Sequence, residues 1–320
     1  MQSELMAGLN NNIEISVILC TYNREVLLAR ALDSILSQGF PPDRFELLVV
    51  DNNSSDGTVD LVRRKAETAK PVVRYLFEGR QGKSFALNHA IREARGEILA
   101  FTDDDARVAS DWLERIDQCF IQYQPDLIGG RVVPDWTGEW PDWFFPEHRS
   151  VIAAFNPSPE AVFVNLDWPS LPAGANLAAR AEVFRRHGGF REDLSDGTIP
   201  LCEDNELIQR VLRNSGRVLY APDVVVHHHV PPERLTRRYV RRWWMIGGMA
   251  SSRMCLDEGP GVPKILGIPR WMYRQALDNF GCMVGRFIIN PCCREAFYHE
   301  TRLWSFYGFV KDRWTKRNRT

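Results

Sequence analysis

The chain has 320 residues, 44% of them apolar and 25% charged, an ordinary globular composition with room for one large domain or two modest ones. The opening MQSELMAGLNNNIE lacks the basic and apolar regions of a secretory signal. No run reaches the roughly 18–20 apolar residues of a membrane-spanning helix, the longest candidate being Trp243 to Ala250. The net charge of −1 conceals an asymmetry: residues 231–320 carry 17 basic and 7 acidic groups, against 23 and 34 over 1–230, which marks two regions with different partners.

Ile15 to Cys20 (ISVILC) is a short apolar, β-branched run that predicts a strand. Asn23 is placed to cap a helix over 24–38, with Val26, Leu28, Leu32, Ile35 and Leu36 on one face. Gly39 and the pair Pro41-Pro42 end it. A second strand is expected at Leu47 to Val50, then a helix opened by Ser54, Ser55 and Asp56 and running to Thr68. A third strand follows at Val72 to Phe77, a helix at Phe85 to Ala94, and a fourth strand at Ile98 to Phe101. The βαβαβαβ order predicts an α/β fold with a mainly parallel sheet flanked by helices, because the crossovers are helical and right-handed. Continuous apolar strands fit a sheet covered on both faces.

After Ser110 a helix is expected to turn Trp112, Leu113, Ile116, Phe120 and Ile121 inward. From Gly130 to Pro172 the Trp-, Pro- and Gly-rich sequence offers few elements and reads as substrate-facing loops. Leu201 to Asn214 reads as a helix, and Val218 to Tyr220 and Val224 to Val226 as short strands. Pro231-Pro232 marks a boundary before a helical, aromatic remainder. Seven cysteines without a spacing pattern, among them the neighbours Cys292 and Cys293, do not suggest a disulfide framework and fit a reducing compartment.

In an open parallel sheet, ligands bind beyond the carboxyl ends of the strands. Four polar segments leave the predicted strands at that edge: Thr21-Tyr22-Asn23, Asp51 to Ser55, Glu78 to Lys83, and Thr102 to Asp105. Any one could be a helix cap; together they predict a polar ligand site. Three adjacent carboxylates repel one another unless a cation offsets them. Asp103 and Asp105 form an Asp-x-Asp pair that can offer oxygens to a hard divalent ion, which also takes phosphate oxygens. Arg80 and Lys83 are near in sequence to meet phosphate. The competing reading is a solvated acidic turn ahead of the next helix. Gly82-Lys83-Ser84 suggests a phosphate loop, but the glycine required five residues earlier is Phe77, inside a strand, which excludes a P-loop triphosphatase. No Gly-x-Gly-x-x-Gly follows the first strand, which argues against a dinucleotide fold.

The segments TYN, VVDNNSSDGT, GRQGKSFALNHA, FTDDDARVASDWL and CEDNEL, in that order, resemble family 2 glycosyltransferases of the GT-A fold over residues 13–230. The resemblance implies a catalytic domain at 13–230, with a nucleotide-binding half over 13–108 and an acceptor half over 109–230. By it, Thr21, Tyr22 and Asp51 hold the nucleobase and ribose, Arg80 and Lys83 sit beside the base or diphosphate, and Asn23 and Asp104 belong to the same nucleotide-sugar site. Asp103 and Asp105 become metal ligands for Mn²⁺ or Mg²⁺. Glu203-Asp204 matches the family's Glu-Asp pair, Glu203 on the donor side and Asp204 as base. Inverting transfer needs such a carboxylate within reach of the attacking hydroxyl, while the metal offsets charge on the departing diphosphate, a two-faced displacement logic shared with inverting glycosidases. The alternative for Asp204 is a helix N-terminal role.

Gly174 and Asn176 resemble the family's Gly-x-Asn turn at the donor sugar, with an ordinary tight turn as the alternative. Of His227, His228 and His229, the resemblance makes His228 the third metal ligand; a structural role is the open alternative. The chain keeps Arg242-Trp243 but lacks the glutamine of the membrane synthases' Gln-x-x-Arg-Trp signature, which points to transfer of a single sugar rather than processive synthesis.

Residues 231–320 interleave Trp243, Trp244, Trp271, Trp304 and Trp314 with arginines, a pairing suited to a membrane interface. A polyphosphate-linked acceptor, a helical dimer interface or neutralisation of the acidic body would use the same features. No nucleic-acid-binding motif accompanies the charge. The sequence thus predicts a cytoplasmic enzyme, facing the inner side of the membrane, with a nucleoside-diphosphate sugar as donor and a surface polysaccharide or lipid-linked glycan as acceptor. The rival readings are a sugar nucleotidyltransferase, whose Gly-rich loop after the first strand is missing from TYNRE, and a non-catalytic nucleotide- or carbohydrate-binding scaffold.

Overall fold

The computed structural model describes residues 13–144, 146–168, 170–194, 202–254, 262–289 and 294–317. Expectations for residues 1–12, Leu201, Cys292 and Cys293 lie outside them. The chain divides into two compact units: Met1–Val133 with Phe155–Glu192 and Asp204–His228, and Pro134–Ala154 with Asp193–Glu203 and His229–Thr320.

The first unit opens with β1 (Ile15–Thr21), α1 (Glu25–Leu36), β2 (Phe45–Asp51), α2 (Thr58–Thr68), β3 (Val72–Phe77), α3 (Lys83–Glu93) and β4 (Ile98–Asp103). β1 pairs in parallel with both β2 and β4, and β2 with β3. One set of side chains, including Ile15, Val17, Leu19, Leu47, Val49 and Ala100, packs in a cluster with Leu28, Ala31, Leu32 and Ile35 of α1. The alternate set is also buried; on it, Phe101 meets the rings of Phe184 and Phe190 at 5.6 and 5.5 Å. Both faces are therefore covered, which is why these strands are apolar throughout. β3 departs from that pattern: it ends the sheet and is only half-buried.

The chain continues through β5 (Ala106–Val108), α4 (Trp112–Tyr123), β6 (Leu127–Asp135), β7 (Val162–Val164), β8 (Asn176–Arg180), α5 (Ala181–His187), α6 (Glu203–Arg213) and β9 (Val218–His229). These extend the sheet in the order β3-β2-β1-β4-β8-β6-β9-β5, with β7 on β9. β8 runs antiparallel to β4 and β6, and β9 antiparallel to β5 and β7. The parallel half is the one read from the βαβ order; the antiparallel half is an addition to it.

Several local expectations are corrected. Asn23 does not cap α1: it has φ of 50°, and the Glu25 amide donates instead to Asp56 Oδ2 at 3.0 Å. Val26 and Ile121 face solvent, at 70% and 66% exposure, so the buried stripes of α1 and α4 are narrower than apolarity suggests. The stretch 130–172 is not only loops, since the later part of β6 and all of β7 lie in it. The two short strands expected at 218–226 are one strand, β9, of 12 residues.

In the second unit, α7 (Arg237–Met254) is followed by the small hairpin β10 (Lys264–Ile265) and β11 (Ile268–Pro269), then α8 (Arg270–Ile289) and α9 (Arg294–Arg317). α7 and α9 meet backbone to backbone: a Cβ on Gly248 would collide with the Ser305 carbonyl, and one on Gly308 with that of Met245. Arg241 forms a two-pronged ion pair with Glu300 at 2.5 and 2.9 Å, and buried Arg253 pairs with buried Asp312 at 3.3 Å. Trp243 and Trp244 pack on the Val151, Val240 and Phe297 cluster, and Trp304 donates to Glu300. Trp271 and Trp314 are exposed.

His148 is fully buried among the rings of Trp143, Phe144 and Phe297. Burial lowers its pKa to about 4. The unfolded chain, with an ordinary imidazole, therefore binds the proton first as pH falls, so stability is full above the ordinary histidine value and is lost on the way down to pH 4. The loss is expected to be at most about 3 kcal/mol. Denaturant unfolding of the wild type and His148→Phe at pH values across that window should show a flatter profile in the variant.

Candidate functional site

The carboxyl ends of β1, β2 and β4 and the loop after β3 meet at one edge of the sheet, because the four strands are parallel and in register: Thr21 is paired with Asp51, Cys20 with Asp103, and Asp51 with Phe77. The polar residues that leave those strands are consequently neighbours.

The aspartate loop after β4 is stabilised by cations from the chain itself. Lys83 Nζ donates to Asp103 Oδ1 at 2.6 Å. Arg24 donates to Asp104 Oδ1 at 2.9 Å and to Asp105 Oδ2 at 3.2 Å. Burial works against the guanidinium charge, but Asp104 and Asp105 outweigh it and raise the Arg24 pKa above its ordinary value. Asp104 is buried and also accepts from Thr21 Oγ1 at 2.9 Å. Burial pushes its carboxyl up to about 6 against the pull of Arg24. Asp104 and Thr21, both read from sequence as ligand-facing, are thus bonded to each other beneath the rim.

Asp103 and Asp105 face a different partner. Asp103, Asp105 and His228 each offer one ligand atom, and these atoms lie within 4.8 Å of one another. His228 Nε2 is 3.3 Å from Asp105 Oδ1, while its buried Nδ1 has no hydrogen-bond partner among the described residues. The choice among three consecutive histidines follows from strand periodicity: Val224, Val226 and His228 point inward, while His227 is exposed and His229 half-buried. β5 carries this register, with Ala106 opposite His228. Two carboxylates and an imidazole are a donor set that fits a divalent cation.

Asp51 is buried and accepts from the Tyr75 hydroxyl and the Ser54 amide, each at 2.8 Å. Burial, then the Asp51 carboxylate, pushes the Tyr75 pKa up to about 12. Tyr22 and Asn23 are exposed on the rim, and Asn23 Oδ1 accepts from the Ser55 amide at 2.7 Å. Arg80 lies over the Phe85 ring at 4.6 Å and is paired with Glu78 at 3.0 Å. Asn52, absent from the sequence-based set, holds this loop: its Nδ2 donates to the carbonyls of Glu78 and Arg80, and its Oδ1 accepts from the Gly82 amide. Gly82 has φ of 141°, open to glycine, as the chain turns into α3. Arg24 was also missed; its place beside the TYN segment was the only signal, and it read as the start of a helix.

Asp204, in the first turn of α6, accepts from the Gly174 amide through Oδ2 at 2.6 Å and from the Asn205 amide through Oδ1 at 2.7 Å. A Cβ on Gly174 would lie 3.0 Å from Oδ2, so glycine permits this close approach. Glu203 is buried. Asn176, expected at the donor sugar, is turned into the core instead: it accepts from Trp112 Nε1 at 2.9 Å and donates to the Arg131 and Val224 carbonyls at 2.9 and 2.8 Å. The reason is its position at the start of β8, a central strand where an unpaired amide would be costly.

The fold is of the GT-A type, a large central sheet flanked by helices. Residues 16–186, more than half of the chain, match the family described as Glycosyl transferase family 2. The chain belongs to that family. It is 38% identical over 119 residues to Glycosyltransferase AglE of Haloferax volcanii, a match covering 37% of this chain and 39% of that protein. It is 26% identical over 224 residues to the same organism's glucosyl-dolichyl phosphate glucuronosyltransferase, covering 68% of this chain and 69% of that one. In fold it is similar to the mannosyltransferase PcManGT from Pyrobaculum calidifontis, solved with GDP-Man and Mn²⁺, with a TM-score of 0.66, 20% identity, and coverage of 98% and 93% of the two chains.

Asn176→Ala should lower stability by about 2–4 kcal/mol, since it strands the buried Trp112 N–H and two carbonyls. Urea denaturation measures the loss. Isothermal titration with nucleoside diphosphate, run well below the variant's unfolding midpoint, should give wild-type affinity.

Proposed function

We propose that this protein transfers a single sugar from a nucleoside-diphosphate sugar to a hydroxyl acceptor by metal-assisted inverting displacement. The observation that carries the reading is the cluster of Asp103, Asp105 and His228 at the edge of the sheet, whose ligand atoms lie within 4.8 Å of one another. These three would hold a divalent ion, and the imidazole in the set favours manganese over magnesium. When bound, the ion supplies positive charge against the diphosphate that leaves.

The chain's own residues do the rest. Asp51, Thr21, Tyr22 and Asn23 form the base and ribose side, Thr21 acting from below through Asp104. Lys83 exchanges Asp103 for a phosphate oxygen when donor arrives, so that its charge is satisfied in both states. Arg80 borders the base or diphosphate. Gly174 and Glu203 flank the sugar, and the Gly174 amide fixes the Asp204 carboxylate. Asp204 retains lone pairs with which to take the proton of the attacking hydroxyl. Residues 13–230 form the catalytic domain in this reading, with 13–108 for the nucleotide and 109–230 for the acceptor.

The acceptor class is a surface or lipid-linked glycan, supported by the name of the dolichyl-phosphate relative. The work would take place at the cytoplasmic face of the membrane, with residues 231–320 as the membrane-facing region. No described helix is long and apolar enough to cross a bilayer, so that contact would be peripheral.

A thermal-shift series with nucleoside diphosphates, with and without manganese, tests the metal site. Diphosphate plus metal should stabilise the wild type, and Asp105→Ala should abolish the metal-dependent part; a shift unchanged by that substitution contradicts the assignment. Asp204→Asn should keep donor binding while transfer falls by about 10²–10⁴-fold. Undiminished turnover would remove Asp204 from the mechanism.

A further inference from the structure

The second unit carries an apolar row that nothing in the preceding mechanism uses. On α8, Leu277, Phe280, Val284, Phe287 and Ile288 are all exposed, Leu277 by 71% and Ile288 by 76%. Spacings of three, four and three over 277–287 put them on one side of the helix, in a strip about 16 Å long. The strip is not the face by which α8 packs within its unit. That face is marked by the half-buried Met272, Ala276, Asn279 and Met283, spaced four, three and four apart, with Asn279 bonded to His299 of α9 at 2.9 Å. Five large apolar side chains in an uninterrupted exposed row form a contiguous patch rather than scattered surface leucines.

We propose that this row is the element by which the chain lies on a membrane, with α8 in the plane of the headgroups of an anionic bilayer. The inference rests on the reading of 231–320 as membrane-facing and assigns that contact to one helix face. Charge complementarity selects the occupant. Besides its apolar row, α8 carries Arg270, Arg274 and Arg286 against a single acid, Asp278, and exposed Lys264 stands on β10 just before it. Exposed Trp271 on α8, and Tyr307 and Trp314 on α9 with Lys311 between them, add aromatic and basic groups on the same pair of helices. Apolar insertion, amphipathic aromatics and arginine meet the three layers of a lipid surface: acyl chains, headgroup boundary and phosphate. A second copy of the chain would match the row in apolar character but would bring the two arginine-rich surfaces together, at a cost in like-charge repulsion.

Co-sedimentation of the full chain with phosphatidylcholine vesicles, with and without phosphatidylglycerol, tests this in the absence of donor, acceptor and metal. The wild type should bind, and bind better where phosphatidylglycerol is present. The variant Leu277→Gln/Phe280→Gln/Phe287→Gln, checked for a wild-type unfolding midpoint, should lose at least about tenfold in partitioning, because three apolar side chains no longer leave water. Arg270→Glu/Arg274→Glu should lose the preference for phosphatidylglycerol while keeping residual binding to neutral vesicles. Wild-type protein that stays in the supernatant with both vesicle types overturns the membrane-facing reading of 231–320 altogether. Triple-variant binding equal to wild type overturns the α8 assignment alone. A concentration-dependent wild-type dimer that the triple variant abolishes, with no vesicle binding, gives the row to a second copy and likewise overturns it. None of these outcomes bears on the transferase reading, which is tested through Asp105 and Asp204.

Discussion

The arrangement at the sheet edge depends on how one loop accommodates three consecutive carboxylates. Left to themselves, Asp103, Asp104 and Asp105 would push the loop apart. In this fold each has a separate outlet. Asp103 takes Lys83 from the start of α3, Asp104 is sunk against Thr21 and Arg24, and Asp105 lies between Arg24 and His228. The middle carboxylate is thereby consumed in holding the loop, which leaves its two neighbours on the side that faces His228. In the proposed metal reading, that division suits the Asp-x-Asp spacing to a dication, with the residue between bracing the loop.

The parallel half of the sheet supplies this loop with its neighbours. β1, β2, β3 and β4 run in register, so their carboxyl ends deliver Thr21, Asp51, the 78–82 loop and Asp103 to one edge without any one of them needing a long connection. Asn52 then does for the 78–82 loop what Asp104 does for the aspartate loop, using its side-chain amide as a three-point brace. Both braces are polar groups with their hydrogen bonds directed into the protein. In the proposed function, preorganised loops of this kind would lower the cost of gathering charged groups around a diphosphate.

Much of the parallel half was legible in the chain order alone. Short apolar β-branched runs separated by amphipathic helices leave few topologies, and the polar strand ends mark the ligand edge. The antiparallel half was less legible. β6 contains Gly129-Gly130 and Pro134, residues that weaken a strand signal, and β8 is five residues long and rich in alanine. Their identity as strands comes from pairing, β8 with β4 and β6 with β8, which no local pattern announces. Asn176 shows the same limit at the level of a single residue: its motif position suggested a ligand contact, and its pairing within the core directs its amide to Trp112 instead.

Sequence by itself determined the βαβ order, the polar edge and the family membership, because periodicity and motif order are properties of neighbouring residues along the chain. Tertiary structure decided which of three histidines joins Asp103 and Asp105, that Asp104 is bonded to Thr21, and that Arg24 belongs to the loop. Those outcomes depend on strand register and on burial, and both are set by residues some 80 to 125 positions apart in the chain, where no local rule reaches.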